Sequence, residues 1–144
     1  MKKNRRILFM PLCLLYVLIF TGCGVLAEAG KLEQYEMGKD VIPSITSVVG
    51  ERAVTGVKTS IDGGVATKQY SYTSDSVYDD LLAYITKLMD EGWLVTQDID
   101  LNVVPGSGEL GKESSEEGKI LLVSFSYDES GYEIKISKGE GTIE

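Results

Sequence analysis

The sequence predicts an α+β fold: one amphipathic helix packed on an antiparallel sheet of about five strands, in the order ββαβββ. Three observations carry this expectation. Two β-prone runs flank Asp62-Gly63-Gly64, a hairpin turn signal. One window, residues 76–92, places apolar residues at helical spacing between a start and a stop signal. The C-terminal third alternates between apolar runs and short polar turns.

Taken in order, the strand-like pattern begins at Val48. Residues 54–61 and 65–72 form the first two strands, with glycine supplying positive φ in the turn between them. Ser76 and Asp79 make a capping-box-like helix start, and Asp79 and Asp80 suit the positive end of the helix dipole. Val77, Leu81, Ile85 and Leu88, with Tyr78, Leu82 and Met89 beside them, give a wide apolar stripe. Gly92 ends the helix as a left-handed cap, and Trp93 covers that end. Residues 94–104 read as a strand whose Ile99, Leu101 and Val103 share a face opposite Asp98, Asp100 and Asn102. Residues 105–118, rich in Gly, Ser and Glu, read as a long mobile loop. Residues 119–127 form the most apolar, central strand. Residues 128–131 turn it, and residues 132–138 return with Tyr132, Ile134 and Ile136 on one face.

The N-terminus reads differently. Lys2, Lys3, Arg5 and Arg6 precede an uncharged apolar run, residues 7–20, broken only by Pro11. This is the layout of a secretory signal peptide, and the run is short for a membrane span; an uncleaved anchor helix is the alternative. Phe20-Thr21-Gly22-Cys23 follows. This tetrapeptide resembles the lipobox of bacterial lipoproteins, with Phe where the pattern prefers Leu. The resemblance implies cleavage between Gly22 and Cys23 and a diacylglyceryl group on the Cys23 sulfur. Two acyl chains anchor stably where one holds only marginally. The rest of the chain resembles only small bacterial lipoproteins of general layout. The expected organisation is therefore a signal peptide at 1–22, a lipidated N-terminus and tether at 23–47 (with a short helix over 27–37), and an α+β domain at 48–144. Gly24 offers no Asp retention signal, so a Gram-negative source would place the chain at the outer membrane and a Gram-positive one at the cell membrane.

Composition narrows the chemistry. The 144 residues carry 14 Lys+Arg, 22 Asp+Glu and no histidine, a formal charge of −8. Residues 1–22 hold four of the basic residues and none of the acidic ones, so residues 23–144 stand at −12. An acidic chain is a poor fit to nucleic acid. Without histidine there is no His-based triad or ligand set, and two cysteines cannot build a Cys-rich zinc site. No cofactor is expected.

Four motifs carry alternative readings. Gly106-Ser107-Gly108-Glu109-Leu110-Gly111-Lys112-Glu113 nearly spells a phosphate-binding loop, but Glu113 stands where Ser or Thr must hold magnesium, which favours a plain flexible loop. Asp98, Asp100, Asn102 and Glu109 match some ligand positions of a calcium loop; Val103 stands where that loop turns on Gly, which favours a solvated strand face. Asp79-Asp80 and Asp90-Glu91 are paired carboxylates, read as dipole partners and solvated charges rather than as an acid/base couple. Tyrosine is enriched, eight in all; Tyr70, Tyr72, Tyr127 and Tyr132 are candidates for a peptide- or glycan-recognising surface, or else sheet-supporting side chains.

The functional expectation is a membrane-anchored extracytoplasmic lipoprotein whose small domain binds an envelope protein, peptide or glycan without catalysis. Alternatives are a small envelope hydrolase using carboxylates and a structural or stress-related lipoprotein.

Overall fold

A computed structural model describes residues 25–144 of the chain. The signal peptide expected at 1–22, its cleavage at Gly22 and the acylation expected at Cys23 lie outside the described residues. Among the described residues, no helix is long and apolar enough to cross a membrane.

The fold is α+β, with more strands than the sequence suggests. A two-stranded antiparallel sheet joins β1 (Gln34–Met37) to β2 (Asp40–Pro43). A six-stranded sheet comprises β3 (Ala53–Asp62), β4 (Val65–Thr73), β5 (Leu94–Gln97), β6 (Gly106–Glu113), β7 (Lys119–Tyr127) and β8 (Gly131–Glu140). Its order is β3-β4-β8-β7-β6-β5, and every neighbouring pair is antiparallel. The helices are a one-turn α1 (Ile45–Val49) and the main α2 (Val77–Asp90); residues 25–29 are also helical.

Local chemistry explains the elements that match. Asp62 pairs with Val65 across Gly63 and Gly64, whose φ values of 55° and 82° are those of a tight two-residue hairpin turn. At the end of α2, Gly92 N–H bonds the Met89 carbonyl and Trp93 N–H bonds the Leu88 carbonyl, with Gly92 at φ 89°, the bonding of a Schellman cap. Trp93 is buried, as expected. β7 and β8 are the central strands, paired around residues 128–130. Their alternation puts Leu121, Val123, Phe125 and Tyr127, with Tyr132, Ile134 and Ile136, on one face. α2 and the β1–β2 hairpin cover that face; the other is polar and partly solvated, as an antiparallel sheet allows.

Several expectations are corrected. Of the tether expected at 23–47, the described residues 25–47 are not a simple tether. From Ala29 onward they join the core: Tyr35, Ile42 and Ile45 are fully buried, because the β1–β2 hairpin lies across β4 and β8 beside α2. The strand-like reading at Val48 gives way to α1, whose Ser44 cap accepts a 3.0 Å bond from Ser47 N–H. Residues 98–105 turn away from β5 rather than continuing it, so Asp98, Asp100 and Asn102 lie in a loop. The stripe on α2 is also narrower than expected. Leu81, Tyr84, Ile85 and Leu88 are buried, whereas Tyr78, Leu82 and Met89 are about half exposed. Ser76 stands at the N-cap but its side chain makes no capping bond.

A further correction concerns residues 106–113, which form β6 rather than a loop. The glycines are there for packing. A Cβ on Gly108 would stand 2.6 Å from Ile99 Cγ1 and 2.7 Å from Phe125 Cζ. A Cβ on Gly106 would stand 2.5 Å from Tyr127 Cζ. Glycine in this strand makes room for aromatic rings of β7 to lie against its backbone.

Candidate functional site

The four tyrosines read either as a recognition surface or as sheet-supporting side chains are buried, as the second reading requires: Tyr70, Tyr72, Tyr127 and Tyr132 expose 8, 2, 5 and 4% of their area. They face α2 and the β1–β2 hairpin. Tyr35 stacks on Tyr70 with ring centroids 4.6 Å apart, and Tyr72 lies 5.6 Å from Tyr132. Their hydroxyls are spent inside the protein. Tyr72 meets Tyr35 at 2.8 Å, Tyr132 donates to Asp80 at 2.9 Å, and Tyr127 donates to the Asp100 carbonyl at 2.6 Å. Burial pushes the Tyr72 hydroxyl up to about 12 despite the bond to Tyr35. These residues hold the sheet to its cover and do not form a docking surface.

Two ionic clusters, neither apparent from local sequence, fasten distant segments. Asp80, buried at the start of α2, accepts from Arg52 Nε at 2.8 Å and Arg52 Nη2 at 2.7 Å. It also accepts from Ser74 at 2.7 Å and from Tyr132. Burial acts to raise this carboxyl, but the bonds from Arg52, Ser74 and Tyr132 outweigh it and hold it below the usual carboxylate range. The second cluster is centred on Lys138 of β8, which is 7% exposed. Its ammonium bonds Asp40 at 2.7 Å, the Met37 carbonyl at 3.1 Å and, more closely, Glu116. Asp40 also accepts from Ser114 Oγ at 2.6 Å and Ser115 N–H at 2.8 Å. Burial opposes ionisation of both Asp40 and Lys138. The mutual bonds prevail, so the carboxyl is lowered and the ammonium raised.

The remaining candidates are dispersed. Asp79 is exposed while its neighbour Asp80 turns inward, so the two do not face one cleft. Glu91 pairs with Lys87 at 3.1 Å. Asp100 bonds the backbone and side chain of Asn102, closing its own loop, while Glu109 on β6 accepts from Thr96 and Ser124. Asp98, Asp100, Asn102 and Glu109 therefore do not converge as a calcium loop would. Among the described residues, no group of three His, Cys, Asp or Glu is placed to hold a metal ion. The phosphate-loop reading ends with β6, since no helix follows Gly111-Lys112.

The site that the fold does build lies at the end of the sheet away from α2. The β3–β4 hairpin is long: its tip leaves Ile61 83% exposed and Val65 40% exposed. Between this tip, the β1–β2 turn and the start of β7 opens a cleft of about 620 Å³. Met37, Ile61 and Ala66 give it apolar walls, and none of its lining comes from α2. Lys68, Lys119 and Lys138 line it against a single carboxylate, Glu116. A volume of this size lies within the range of small-ligand sites. A smaller groove of about 360 Å³ runs beneath Tyr78, over Leu81, Leu101 and Val104, with Asp75, Asp79, Asp128 and Glu129 around it.

Sequence reasoning missed the cleft because its walls come from segments far apart in the chain. The only local signal was apolar Ile61 and Val65 flanking a tight turn, where polar residues usually stand. Comparison with protein-family models, with curated proteins and with solved structures finds no match.

Proposed function

We propose that this chain is a membrane-anchored extracytoplasmic lipoprotein whose α+β domain binds a ligand without catalysis, with Cys23 carrying the acyl chains and the cleft between the β3–β4 tip and the β1–β2 turn carrying the ligand. The cleft carries the binding half of this reading: it is concave, has apolar walls and presents a few placed polar groups. Its back wall is fixed, because Lys138 is tied to Asp40, Glu116 and the Met37 carbonyl. Asp40, Asp80 and Lys138 are committed to structural ion pairs that hold the two carboxyls low and the ammonium high, the opposite of what an acid or a nucleophile at those three positions needs. The anchoring half rests on the basic start, the apolar run and Phe20-Thr21-Gly22-Cys23.

Each half has its own test. Metabolic labelling with an alkyne fatty acid marks the wild type and not Cys23→Ser; equal labelling of both removes the lipoprotein assignment. For the domain, a panel of short peptides, amino sugars and amphiphiles is screened by amide chemical shifts on the full chain in lipid nanodiscs. Shifts gathered on Met37, Ile61 and Ala66 support the cleft. Shifts gathered around Tyr78 and Leu101 contradict it.

A further inference from the structure

We propose that the cleft takes an amphiphilic monoanion: one acidic head group on an apolar body. This rests on the reading of the cleft as the ligand site and goes beyond it by naming the ligand's chemical class.

The cations of the cleft are not equivalent. Lys138 spends its three donors on Asp40, Glu116 and the Met37 carbonyl. Lys119 lies 3.9 Å from Glu116. Lys68 donates to the Glu36 carbonyl at 2.6 Å and, among the described residues, has no carboxylate partner. An ammonium has three donors, so Lys68 keeps two for a ligand. One unneutralised ammonium sets one anionic head. It also selects a point-charge contact rather than the two-pronged grip that arginine gives.

The lining carries three lysines and one glutamate, and Asp40 behind Lys138 neutralises a second lysine, which leaves a formal excess of one positive charge on a chain of net charge −8. At physiological salt, charges beyond about 8 Å are largely screened, so the local lysines outweigh the distant acidic surface. The apolar half of the ligand has a place as well. Ile61 is 83% exposed at the rim, with Ala66 and Met37 deeper in the lining. A cationic ligand would meet Lys68 and Lys119, and a neutral one would leave the Lys68 donors to water.

The test uses the full chain in nanodiscs, with empty discs as the blank, titrated with 4-phenylbutyrate, 4-phenylbutanol and 4-phenylbutylammonium. Calorimetry reads affinity and amide shifts read location. The anion is expected to bind about tenfold or more tighter than the alcohol, the scale of one charge-assisted hydrogen bond, with the ammonium weakest. Lys68→Gln keeps a donor for Glu36 and abolishes the anion's advantage. Ile61→Ser, neutral and at a position 83% exposed, removes apolar wall without adding charge and weakens the anion and the alcohol alike. Equal binding of anion and alcohol, with both moving the amides of Ile61 and Ala66, overturns the anion assignment and leaves the cleft as the ligand site. An anion preference that survives Lys68→Gln overturns the assignment to Lys68. Absence of binding by all three probes overturns this proposal and the cleft reading together.

Discussion

Removing the Asp80 carboxylate is the sharpest perturbation the fold offers. Asp80→Ala deletes four hydrogen bonds at once: two from Arg52, one from Ser74 and one from Tyr132. The consequences differ by partner. Tyr132 is 4% exposed and is left without an acceptor, a loss of about 1–3 kcal/mol. The Arg52 side chain is 25% exposed and can turn to water, so its share is nearer 1 kcal/mol than the 3–5 kcal/mol of a fully buried broken pair. Ser74 is less deeply buried and adds little. Loss of a negative charge from the first turn of α2 adds about 0.5 kcal/mol. The total is about 3 kcal/mol, or a fall in Tm of about 12 °C for a domain of this size. Urea denaturation followed by Trp93, the chain's one tryptophan and a buried one, reads this directly. Asp79→Ala is the internal control: it lies on the same helical turn, is exposed, and loses only the dipole contribution, about 0.5 kcal/mol. If Asp80→Ala costs no more than Asp79→Ala, the cluster does not fasten α2 to β8.

The same clusters set the pH dependence. Asp40 and Asp80 have folded pKa values below the unfolded value of about 3.9, so their contribution is complete above that value and is lost as pH falls through the folded pKa. Acid denaturation should therefore steepen below about pH 4, and Asp80→Ala should show less of that loss than the wild type. At the alkaline end the sign reverses. Burial raises Tyr35, Tyr72, Tyr84 and Tyr132 above their unfolded value of about 10, so the folded state keeps protons that the unfolded state releases. Stability then falls as pH rises past about 10, and tyrosinate absorbance should appear for these residues together with loss of the Trp93 signal. Gly108→Ala should cost about 1–3 kcal/mol in the same urea assay, because its methyl would enter the space of Ile99 and Phe125. A neutral Gly108→Ala would mean that β6 does not lie as close to β7 as described.

What the sequence disclosed and what it hid follow one physical division. The hairpin at Gly63-Gly64 and the cap at Gly92 were legible because their chemistry is local: a positive φ is needed within two residues of a pattern change. The strand β6 was hidden because its glycines answer to Phe125 and Tyr127, residues of a different strand, and glycine reads locally as a loop. The β1–β2 hairpin was hidden for a related reason. Tyr35 and Met37 alternate and Gly38 turns at φ 66°, but Glu, Lys and Gln around them speak for helix, and the contact with β4 and β8 decides the outcome. The alternation of the sequence puts the candidate tyrosines on strands, yet exposure is a property of what covers a face, and the cover is α2 together with the β1–β2 hairpin. The cleft depends on all of these. It exists because the β3–β4 tip extends past the cover, leaving Lys68 free of any carboxylate among the described residues.

The most direct measurement of whether this cleft is a ligand site is a set of intermolecular nuclear Overhauser contacts between 4-phenylbutyrate and the methyl groups of the full chain in nanodiscs. Contacts from the phenyl protons to the methyls of Ile61 and Ala66, absent in the empty-disc blank, are the predicted result. Contacts confined to Leu81 and Val104, in the groove beneath Tyr78, would contradict it.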